Sequence, residues 1–447
     1  MDKKTGSLAG RRAAFLTLGC KVNSYETEAM QALLRKEQVQ IIGFEETADI
    51  YIVNTCSVTN MADRKSRQML HRAKKRNPEA IVVATGCYVQ TAKEVALQEL
   101  GVDVLIGNNQ KKDIVAILEA HLAGKENHRL EISGEWEYEE LKLDTELSHT
   151  RAYIKIQDGC NQFCSYCIIP YARGRIRSRN SEEILEETRR LAAAGYQEIV
   201  LTGIHLSSYG QPDKEGGEPL LALVLRLNEI EGIQRIRLGS LEPRIMTEHF
   251  VKTLSSCSKV CPQFHLSLQS GSDSVLRRMN RKYSTKEYEQ SVLLLRTWFE
   301  NPAITTDLIV GFPQETEEEF LETLEFARKI GFAKIHVFSY SRRKGTAADR
   351  MTGQIPEEVK HRRSERLLAL EWELAREYRS RFLGKMEQVL LEEETVMNGR
   401  CYQTGYNERY VRMAVEAEKS MSNRIATVRV LEDLTEQETL LCDFTFE

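Results

Sequence analysis

Short apolar runs alternate with longer amphipathic stretches over the first 145 residues of the chain. The apolar runs are rich in β-branched residues and cover 13–18, 49–54 and 81–84. The helical patterns between and after them cover 24–37, 63–76 and 92–100. Because continuous apolar runs are typical of strands that are buried on both faces, this alternation predicts an open α/β sheet.

The same alternation resumes after a polar, acidic segment at 126–150, which we interpret as a connection between domains. Six strand-like runs follow, separated by helical patterns. They lie at 153–157, 198–202, 235–238, 264–268, 304–310 and 334–339. Consecutive strand–helix units with right-handed crossovers curl into a barrel. Six units rather than eight predict a partial (β/α)6 TIM-like barrel that is open on one side.

The pattern changes again near the end of the chain. One long charged helix is predicted over 356–382, and short strands follow it at 386–391, 410–415, 425–430 and 439–444. Such a series predicts a small OB-like β-barrel, a fold that often binds single-stranded nucleic acid. The fold class is therefore α/β multidomain. The expected domains are the open-sheet domain at 1–145, the partial barrel at 146–378 and the small β-barrel at 379–447.

Composition describes an ordinary folded protein and excludes few functions. Hydrophobic residues make up 41% and charged residues 29% of the 447 positions, and the formal net charge is −4. Charge alone therefore gives no sign of a nucleic-acid partner. No apolar run has the length of a signal-peptide core or a membrane-spanning helix. We expect a cytoplasmic protein whose ten cysteines stay reduced and available to bind metal.

Three cysteines with the spacing C-x3-C-x2-C follow the first strand of the predicted barrel. They are Cys160, Cys164 and Cys167. Three thiolates bind three corners of a 4Fe–4S cluster and leave the fourth iron open to a small molecule. A structural zinc ion needs a fourth ligand, and the next His or Cys is the distant His205. The spacing favours an iron–sulfur cluster, with zinc and plain buried thiols as the alternatives.

Three more cysteines occupy equivalent positions in the N-terminal domain. Cys20, Cys56 and Cys87 each follow one of the predicted strands directly. Ligands of open α/β sheets lie outside the carboxyl ends of the strands, so these cysteines are expected to converge on a second metal site. The alternative is that each one is a small buried apolar side chain.

These residues resemble a known family, the radical S-adenosylmethionine methylthiotransferases, along essentially the whole chain. The clearest stretch is LGCKVNSYET at 18–27, and SLEP at 240–243 and the TAA run after Gly345 agree with it. Within the family, the chain is most similar to the tRNA enzymes that act on threonylcarbamoyladenosine beside the anticodon. The isopentenyladenosine-modifying branch tends to read GCQMN at the first cysteine, and the ribosomal-protein-modifying branch reads LGCPKN.

The resemblance implies a function and its cofactors. It implies transfer of a methylthio group to carbon-2 of the modified adenine, with S-adenosylmethionine and two 4Fe–4S clusters as cofactors. The cluster on Cys160, Cys164 and Cys167 would cleave S-adenosylmethionine, and the sites on Cys20, Cys56 and Cys87 would hold the cluster that carries the inserted sulfur. It also implies a C-terminal TRAM domain and an electron-donor protein of the flavodoxin or ferredoxin kind.

Contacts to S-adenosylmethionine are expected at the carboxyl ends of the barrel strands. The candidates are Thr202, Gly203, Glu242, Gln269, Ser270 and Asp307. Such residues also occur in strand–helix turns for packing alone. We interpret His205, His265 and His336, in the same region, as core histidines. No residue is assigned an acid–base role in catalysis.

Two groups of arginines are candidates for RNA contact. Arg173, Arg175, Arg177 and Arg179 alternate strictly, so in an extended segment they would all face one way and form a phosphate track. Arg409 and Arg412 lie among aromatic residues in the C-terminal barrel. The RNA function of that barrel depends on the resemblance, since its own composition is acidic.

One motif departs from the family. The usual GFPGET turn reads GFPQET at 311–316, with Gln314 in place of glycine. If this position has a positive φ, Gln314 is modestly strained, and we expect a local adjustment with activity retained.

Three other interpretations stay open. The enzyme class is unchanged if the target is isopentenyladenosine in tRNA or an aspartate of a ribosomal protein. A different class is a non-catalytic metal-binding module that binds RNA. A third interpretation has one cluster and an N-terminal domain that binds a nucleotide or cobalamin, although no GxGxxG run follows the first strand. The sulfur donor, the set of tRNAs and the oligomeric state are not specified by the sequence.

Overall fold

A computed structural model of the chain describes residues 7–92, 100–125, 137–143, 150–211, 217–397, 399–417 and 419–445. The expected helix at 92–100 and most of the connection at 126–150 lie outside the described residues. Among the described helices, none is both long enough and apolar enough to cross a membrane.

The N-terminal part is a five-stranded parallel sheet with the order β2-β1-β3-β4-β5. Its strands are β1 Arg12–Thr17, β2 Gln40–Ile42, β3 Ile50–Thr55, β4 Ile81–Gly86 and β5 Val104–Ile106. Its helices are α1 Lys21–Lys36, α2 Asn60–Arg76, α3 Cys87–Thr91 and α4 Ile114–Leu122. The predicted open α/β sheet is confirmed, and every residue of β3 and β4 is buried. The edge strands β2 and β5 were not predicted, because three residues are too few to show a pattern.

The central part is a partial barrel of six parallel strands. They are β6 Arg151–Asp158, β8 Glu198–Gly203, β9 Arg235–Leu238, β10 Gln263–His265, β11 Ala303–Val310 and β12 Lys334–Ser339. A two-residue strand, β7 Arg177–Ser178, pairs antiparallel with β6. The barrel is divided into the sheets β7-β6-β8-β9 and β10-β11-β12, and single bridges such as Leu241 to Leu266 join them. The predicted partial barrel is confirmed.

Helices cover the outside of the partial barrel. They are α5 Ile169–Arg173, α6 Ser181–Ala193, α7 Pro219–Asn228, α8 Glu248–Ser255, α9 Asp273–Arg278, α10 Thr285–Trp298 and α11 Glu317–Ile330. The long helix α12 Glu357–Ser380 then leads to the C-terminal part. One continuous apolar core lies between these helices and the strands.

The C-terminal part is a closed five-stranded barrel with the order β13-β14-β15-β17-β16. Its strands are β13 Met386–Met397, β14 Arg400–Asn407, β15 Arg412–Glu416, β16 Arg424–Leu434 and β17 Thr439–Phe444. The small β-barrel is therefore confirmed, although β14 was not predicted. Arg235 and Arg237 of β9 donate hydrogen bonds to main-chain carbonyls of Tyr406, Asn407 and Glu408 and so attach this barrel to the central one.

The GFPQET turn leads into α11. Gln314 has a φ of +66°. This is the positive φ under which the sequence predicted a modest strain at this residue. Its side chain is exposed and donates to the carbonyl of Thr352, and its amide donates to the carbonyl of Gly353 at 2.8 Å. Thr316 then caps α11, because its hydroxyl accepts from the amide of Glu319 while that glutamate accepts from the amide of Thr316.

Candidate active site

Three parallel strands bring Cys20, Cys56 and Cys87 to one edge of the N-terminal sheet; we call them the N-terminal triad. Cys56 follows β3 directly and Cys87 follows β4, and Thr55 is opposite Gly86 in the pairing of these strands. Cys20 lies beyond the end of β1, which pairs with β3. The thiols of Cys20 and Cys87 each raise the pKa of Cys56 after the larger effect of burial, so the three lie close together.

Two glycines permit the close approach of these strand ends. Gly19 has a φ of +104°, and a Cβ atom there would lie 3.0 Å from the Sγ of Cys56. Gly86 has a φ of +95°, and a Cβ atom there would lie 2.4 Å from the carbonyl oxygen of Thr55. A larger residue at either position would therefore force the strand ends apart.

Cys160, Cys164 and Cys167, which we call the barrel triad, belong to one loop after β6. The amide of Cys167 donates to the carbonyl of Cys164 at 2.9 Å, and the amide of Cys160 donates to the carbonyl of Gly174 at 3.1 Å. Besides burial, the thiols of Cys164 and Cys160 raise the pKa of Cys167, so these three are neighbours as well. The barrel triad is thus formed by local chain geometry.

Burial raises the pKa of one buried cysteine of the N-terminal triad and of two cysteines of the barrel triad. The pKa values of Cys56 and Cys160 rise to about 11, and that of Cys167 rises to about 12. These thiols are protonated at neutral pH when free of metal. Binding of iron therefore requires the loss of their protons.

The number of thiols separates a cluster from a structural zinc ion. A structural zinc ion has four protein ligands. Each triad offers three thiolates, which fit a 4Fe–4S cluster in which each thiolate binds a different iron and the fourth iron is open.

Arg281 lies directly against the barrel triad. Its Nη1 donates to the Sγ of Cys164 at 3.2 Å, and its Nε donates to the hydroxyl of Tyr283 at 2.8 Å. A fixed cation at this distance balances part of the negative charge of a cluster that the triad would hold. Arg281 was not singled out in the sequence, because it is far from the triad along the chain and no motif marks it.

A cluster of buried charges lies behind both triads; we call it the buried ion cluster. Glu26 of α1 contacts Lys111, Lys155 and Arg173, each at 2.8 Å. Asp158, at the end of β6, contacts Lys155 at 2.7 Å and Arg173 at 3.2 Å. None of these side chains is more than 2% exposed. The cluster joins the N-terminal sheet to the partial barrel.

The buried ion cluster holds Glu26 in its charged form. Burial alone would raise the pKa of Glu26, but Arg173, Lys111 and Lys155 outweigh it and hold the pKa well below the usual range. Arg173 also donates to the Oδ1 of Asn23 at 2.6 Å, and Asn23 lies next to Cys20. The same arginine is therefore connected to the N-terminal triad and to the strand that carries the barrel triad.

The expected row of solvent-facing arginines is not formed. Arg173 ends the short helix α5, and Arg177 and Arg179 turn back toward β6. All three side chains are buried and are paired with buried carboxylates. Only Arg175 is exposed. The prediction of a phosphate track was wrong for three of the four arginines, because their carboxylate partners come from distant parts of the chain.

A cavity of about 600 Å³ opens between α1, the inner face of the partial barrel and the C-terminal barrel. We call it the central cavity. Its wall includes Cys20 of the N-terminal triad, Gly203 at the end of β8 and Asp307 of β11. The stacked rings of Tyr406 and Tyr410, with centroids 4.5 Å apart, form the wall on the side of the C-terminal barrel. The volume is in the range of sites that bind small molecules and cofactors.

Lys21, the residue after Cys20, stands in the central cavity. Its Nζ lies 5.8 Å from the ring centroid of Tyr153 and 6.0 Å from that of Tyr410. Burial, together with the smaller effects of the charges of Arg151 and Arg237, lowers its pKa to about 8, and the charge of Glu198 acts in the opposite direction. This lysine therefore faces aromatic rings and other cations.

Two histidines line the central cavity and correct the sequence interpretation of them as core residues. The Nε2 of His265 lies 3.4 Å from the carboxylate of Asp307, and its ring centroid is 5.9 Å from that of His336. His336 is exposed to the cavity. These donor and acceptor groups can hydrogen-bond to a polar ligand or bind a divalent cation.

The other candidates for cofactor contact occupy different positions. Thr202 lines the central cavity beside Gly203. Glu242 lies beside the barrel triad, with its Oε2 3.3 Å from both the Nε2 of His205 and the Nε2 of Gln162.

Gln269 and Ser270 follow β10, where the strand ends meet. Gln269 has a φ of +75°, and its amide donates to the carbonyl of Asp307. Ser270 is completely buried and its hydroxyl is hydrogen-bonded to that of Thr323, so it helps to pack α11.

The two arginines of the C-terminal barrel both line the central cavity. Arg409 donates to the main-chain carbonyls of Glu300 and Asn301, each at 3.0 Å. Arg412 follows Tyr410 at the start of β15 and is partly exposed. Both remain open to a ligand in the cavity.

Comparison with family models gives two matches. The model of the radical SAM superfamily matches residues 154–327, which contain the barrel triad. The model of an uncharacterized protein family, UPF0004, matches residues 12–107, which contain the N-terminal triad.

Curated relatives match almost the whole chain. The threonylcarbamoyladenosine tRNA methylthiotransferase MtaB of Bacillus subtilis is 40% identical over 94% of this chain and 93% of its own length. The protein of the same name from Aquifex aeolicus is 40% identical over 89% of this chain and 98% of its own. A tRNA-2-methylthio-N(6)-dimethylallyladenosine synthase of Finegoldia magna is 33% identical over 94% of this chain and 92% of its own.

Solved structures share the fold at low sequence identity. The radical S-adenosylmethionine methyltransferase TsrM of Kitasatospora setae, solved with cobalamin and a 4Fe–4S cluster, aligns with a TM-score of 0.58 and 15% identity. The alignment covers 76% of this chain and 77% of that one. At this identity the likeness concerns the fold alone.

Proposed function

The chain belongs to the radical S-adenosylmethionine tRNA methylthiotransferase family, and we propose that its substrate is N6-threonylcarbamoyladenosine next to the anticodon of tRNA. The product is the 2-methylthio derivative of that nucleoside. We further propose that the two cysteine triads hold one 4Fe–4S cluster each.

The central cavity is the observation that carries the proposal. Cys20 of the N-terminal triad and the strand ends of the partial barrel line the same space. A base bound there is next to one ligand of the N-terminal triad and to the strand ends of the partial barrel, as an insertion of sulfur at a ring carbon requires. A module that only binds RNA needs no such cavity beside a metal site.

The cysteines and their neighbours have separate tasks. When bound, the cofactors supply one-electron chemistry at carbon-2 of the adenine and the sulfur and methyl group that are added to it. The barrel triad would hold three irons and leave the fourth open for S-adenosylmethionine. Thr202, Gly203, Glu242, Gln269 and Asp307 are the candidate contacts of that cofactor.

The surrounding residues position the reactants and exclude water. The buried ion cluster fixes the N-terminal triad relative to the barrel triad, because its charges are costly to separate once they are buried. Tyr406 and Tyr410 close the cavity on the side of the C-terminal barrel and present faces on which a base can stack.

The proposed partners are tRNA and an electron-donor protein. Arg409 and Arg412 line the cavity beside the two tyrosines, and we assign them to contacts with the tRNA backbone or the bound nucleoside. The electron donor is proposed to be of the flavodoxin or ferredoxin kind, and the location of the enzyme to be the cytoplasm.

The test is nucleoside mass spectrometry of tRNA from a strain in which the gene is deleted. The proposal predicts that 2-methylthio-threonylcarbamoyladenosine disappears and that threonylcarbamoyladenosine accumulates. Restoring the gene returns the product, whereas a copy with Cys160→Ala does not. Loss of 2-methylthio-isopentenyladenosine instead assigns the chain to the other tRNA branch. If the tRNA is unchanged and a ribosomal protein lacks its modification, the chain belongs to the branch that modifies a ribosomal protein.

A further inference from the structure

The central cavity has more positive charge than its own carboxylates neutralise. Asp307 and Glu438 line the cavity, and each already has a partner: the Nε2 of His265 at 3.4 Å and the ammonium of Lys334 at 2.9 Å. Lys21 also lines it, and within the described part of the chain it has no carboxylate within 4.0 Å. The cavity therefore favours a ligand that brings a negative charge.

The surroundings of Lys21 strengthen this preference. The charges of Arg151 and Arg237 act on Lys21, and both arginines already share the carboxylate of Glu198, whose charge acts on Lys21 in the opposite direction. Glu198 also contacts Arg235 at 3.7 Å, so it has no free capacity for the lysine. An ammonium that faces other cations and has no carboxylate partner is unfavourable, and a bound anionic group relieves this repulsion.

The threonylcarbamoyl group carries a carboxylate, whereas the isopentenyl group is a neutral hydrocarbon.

We propose that Lys21 binds the carboxylate of the threonylcarbamoyl group and so selects this nucleoside over adenosines with a neutral N6 substituent. This inference rests on the proposed function. The carboxylate replaces the missing counter-ion of Lys21, while Tyr153 and Tyr410 flank the ammonium. Lys21 acts as a binding residue, with no part in the chemistry at carbon-2.

The experiment compares binding of two anticodon stem-loops to the reconstituted holoenzyme. One stem-loop carries threonylcarbamoyladenosine at the target position and the other carries unmodified adenosine, so both have the same phosphates. The wild type is expected to bind the first roughly tenfold more tightly, since a charge-assisted hydrogen bond contributes about one order of magnitude. Lys21→Gln is expected to abolish this preference, and Lys21→Arg to keep part of it.

Lys36→Gln is the matched control, because Lys36 ends the same helix and lies about 22 Å along it from Lys21. It is expected to leave the preference unchanged. Iron content of each variant is measured in parallel, since Lys21 is next to Cys20. Lys21→Gln is expected to keep the iron content of the wild type and to raise KM with little change in kcat.

Two results would overturn the assignment. If Lys21→Gln weakens both stem-loops equally, the lysine contacts a phosphate of the RNA. If it weakens neither, Lys21 has no part in binding. A failure of the proposed function gives a different result from a failure of the Lys21 assignment. In that case the wild-type enzyme itself would not add a methylthio group to the stem-loop that carries threonylcarbamoyladenosine.

Discussion

The two cysteine triads are assembled in different ways. The barrel triad lies within eight consecutive residues, in a loop that its own main-chain hydrogen bonds hold. The N-terminal triad is formed by three strand ends whose cysteines are 36 and 31 positions apart, and it requires Gly19 and Gly86 at their contacts. One site depends on a local motif, whereas the other depends on the whole sheet.

Their electrostatic surroundings differ as well. Arg281 contacts the Sγ of Cys164 directly, so a cation is in hydrogen-bond contact with the barrel triad. At the N-terminal triad the contact with a cation is indirect. Arg173 donates a hydrogen bond to the Oδ1 of Asn23, and this oxygen lies 4.0 Å from the Sγ of Cys20. Since positive charge near an iron–sulfur cluster stabilises its reduced state, the barrel triad has the environment suited to accept electrons.

The largest effect is expected from removing one cysteine of each triad. Cys160→Ala should lower both cleavage of S-adenosylmethionine and methylthio transfer by at least ~100-fold. Loss of a residue that only hydrogen-bonds to a metal ligand already lowers activity by up to that factor, and Cys160 is expected to be a ligand itself. Cys56→Ala should abolish methylthio transfer but keep cleavage of S-adenosylmethionine. Product analysis of the anaerobic reaction measures both. Loss of cleavage in Cys56→Ala would show that the two sites do not act separately.

A large effect on stability is expected from Glu26→Gln. The change leaves Arg173, Lys111 and Lys155 with too few buried carboxylates, and breaking a buried ion pair in this way costs about 3–5 kcal/mol. Denaturant unfolding measures the free energy. Glu45→Gln is the control, since its pairs with Arg72 and Arg76 are largely exposed and should contribute less than about 1 kcal/mol.

The same variant should change the response of the protein to acid. The pKa of Glu26 is lowered in the folded state, so its contribution to stability is present above the unfolded pKa and is lost as pH falls through the folded one. Glu26→Gln should therefore lose more stability at neutral pH than at strongly acidic pH. An equal loss at both values would mean that the charge of Glu26 is not what stabilises the cluster.

A smaller and more selective effect is expected from Arg281→Gln. Removal of this charge should lower the reduction potential of the barrel-triad cluster by about 60 mV, a tenfold change for one electron, and leave the other cluster unchanged. A redox titration followed by electron paramagnetic resonance gives both potentials. Lys282→Gln is the control, because its ammonium is exposed and is hydrogen-bonded to the side chain of Asn280. Equal shifts of both clusters would contradict the local effect of Arg281.

The sequence indicates those features that depend on short segments. The strand–helix alternation predicted the open sheet and the partial barrel, and the strand-end positions of Cys20, Cys56 and Cys87 predicted their convergence. Each of these two inferences depends on a single regular pattern along the chain. The positive φ at Gln314 follows in the same way, from a single departure within a known turn.

Features that depend on contacts between distant segments were missed. The alternation of Arg173, Arg177 and Arg179 looked like a solvent-facing row, because their partners Glu26, Asp158 and Glu187 come from α1, β6 and α6. The histidines of β10 and β12 looked like core residues, because the cavity that they face exists only after three parts of the chain pack together. Lys21 was visible in a motif, but the sequence did not show that the described part of the chain places no carboxylate within 4.0 Å of it.

The central claim is that the two triads hold separate 4Fe–4S clusters, and iron analysis with Mössbauer spectroscopy tests it most directly. The wild type and two triple variants, one with each triad replaced by alanine, are reconstituted anaerobically. We expect about eight irons per chain in the wild type and about four in each variant, all with 4Fe–4S spectra. Two results would contradict the claim. One is an iron content of about four per chain in both the wild type and the variant that lacks the N-terminal triad. The other is tightly bound zinc at either triad.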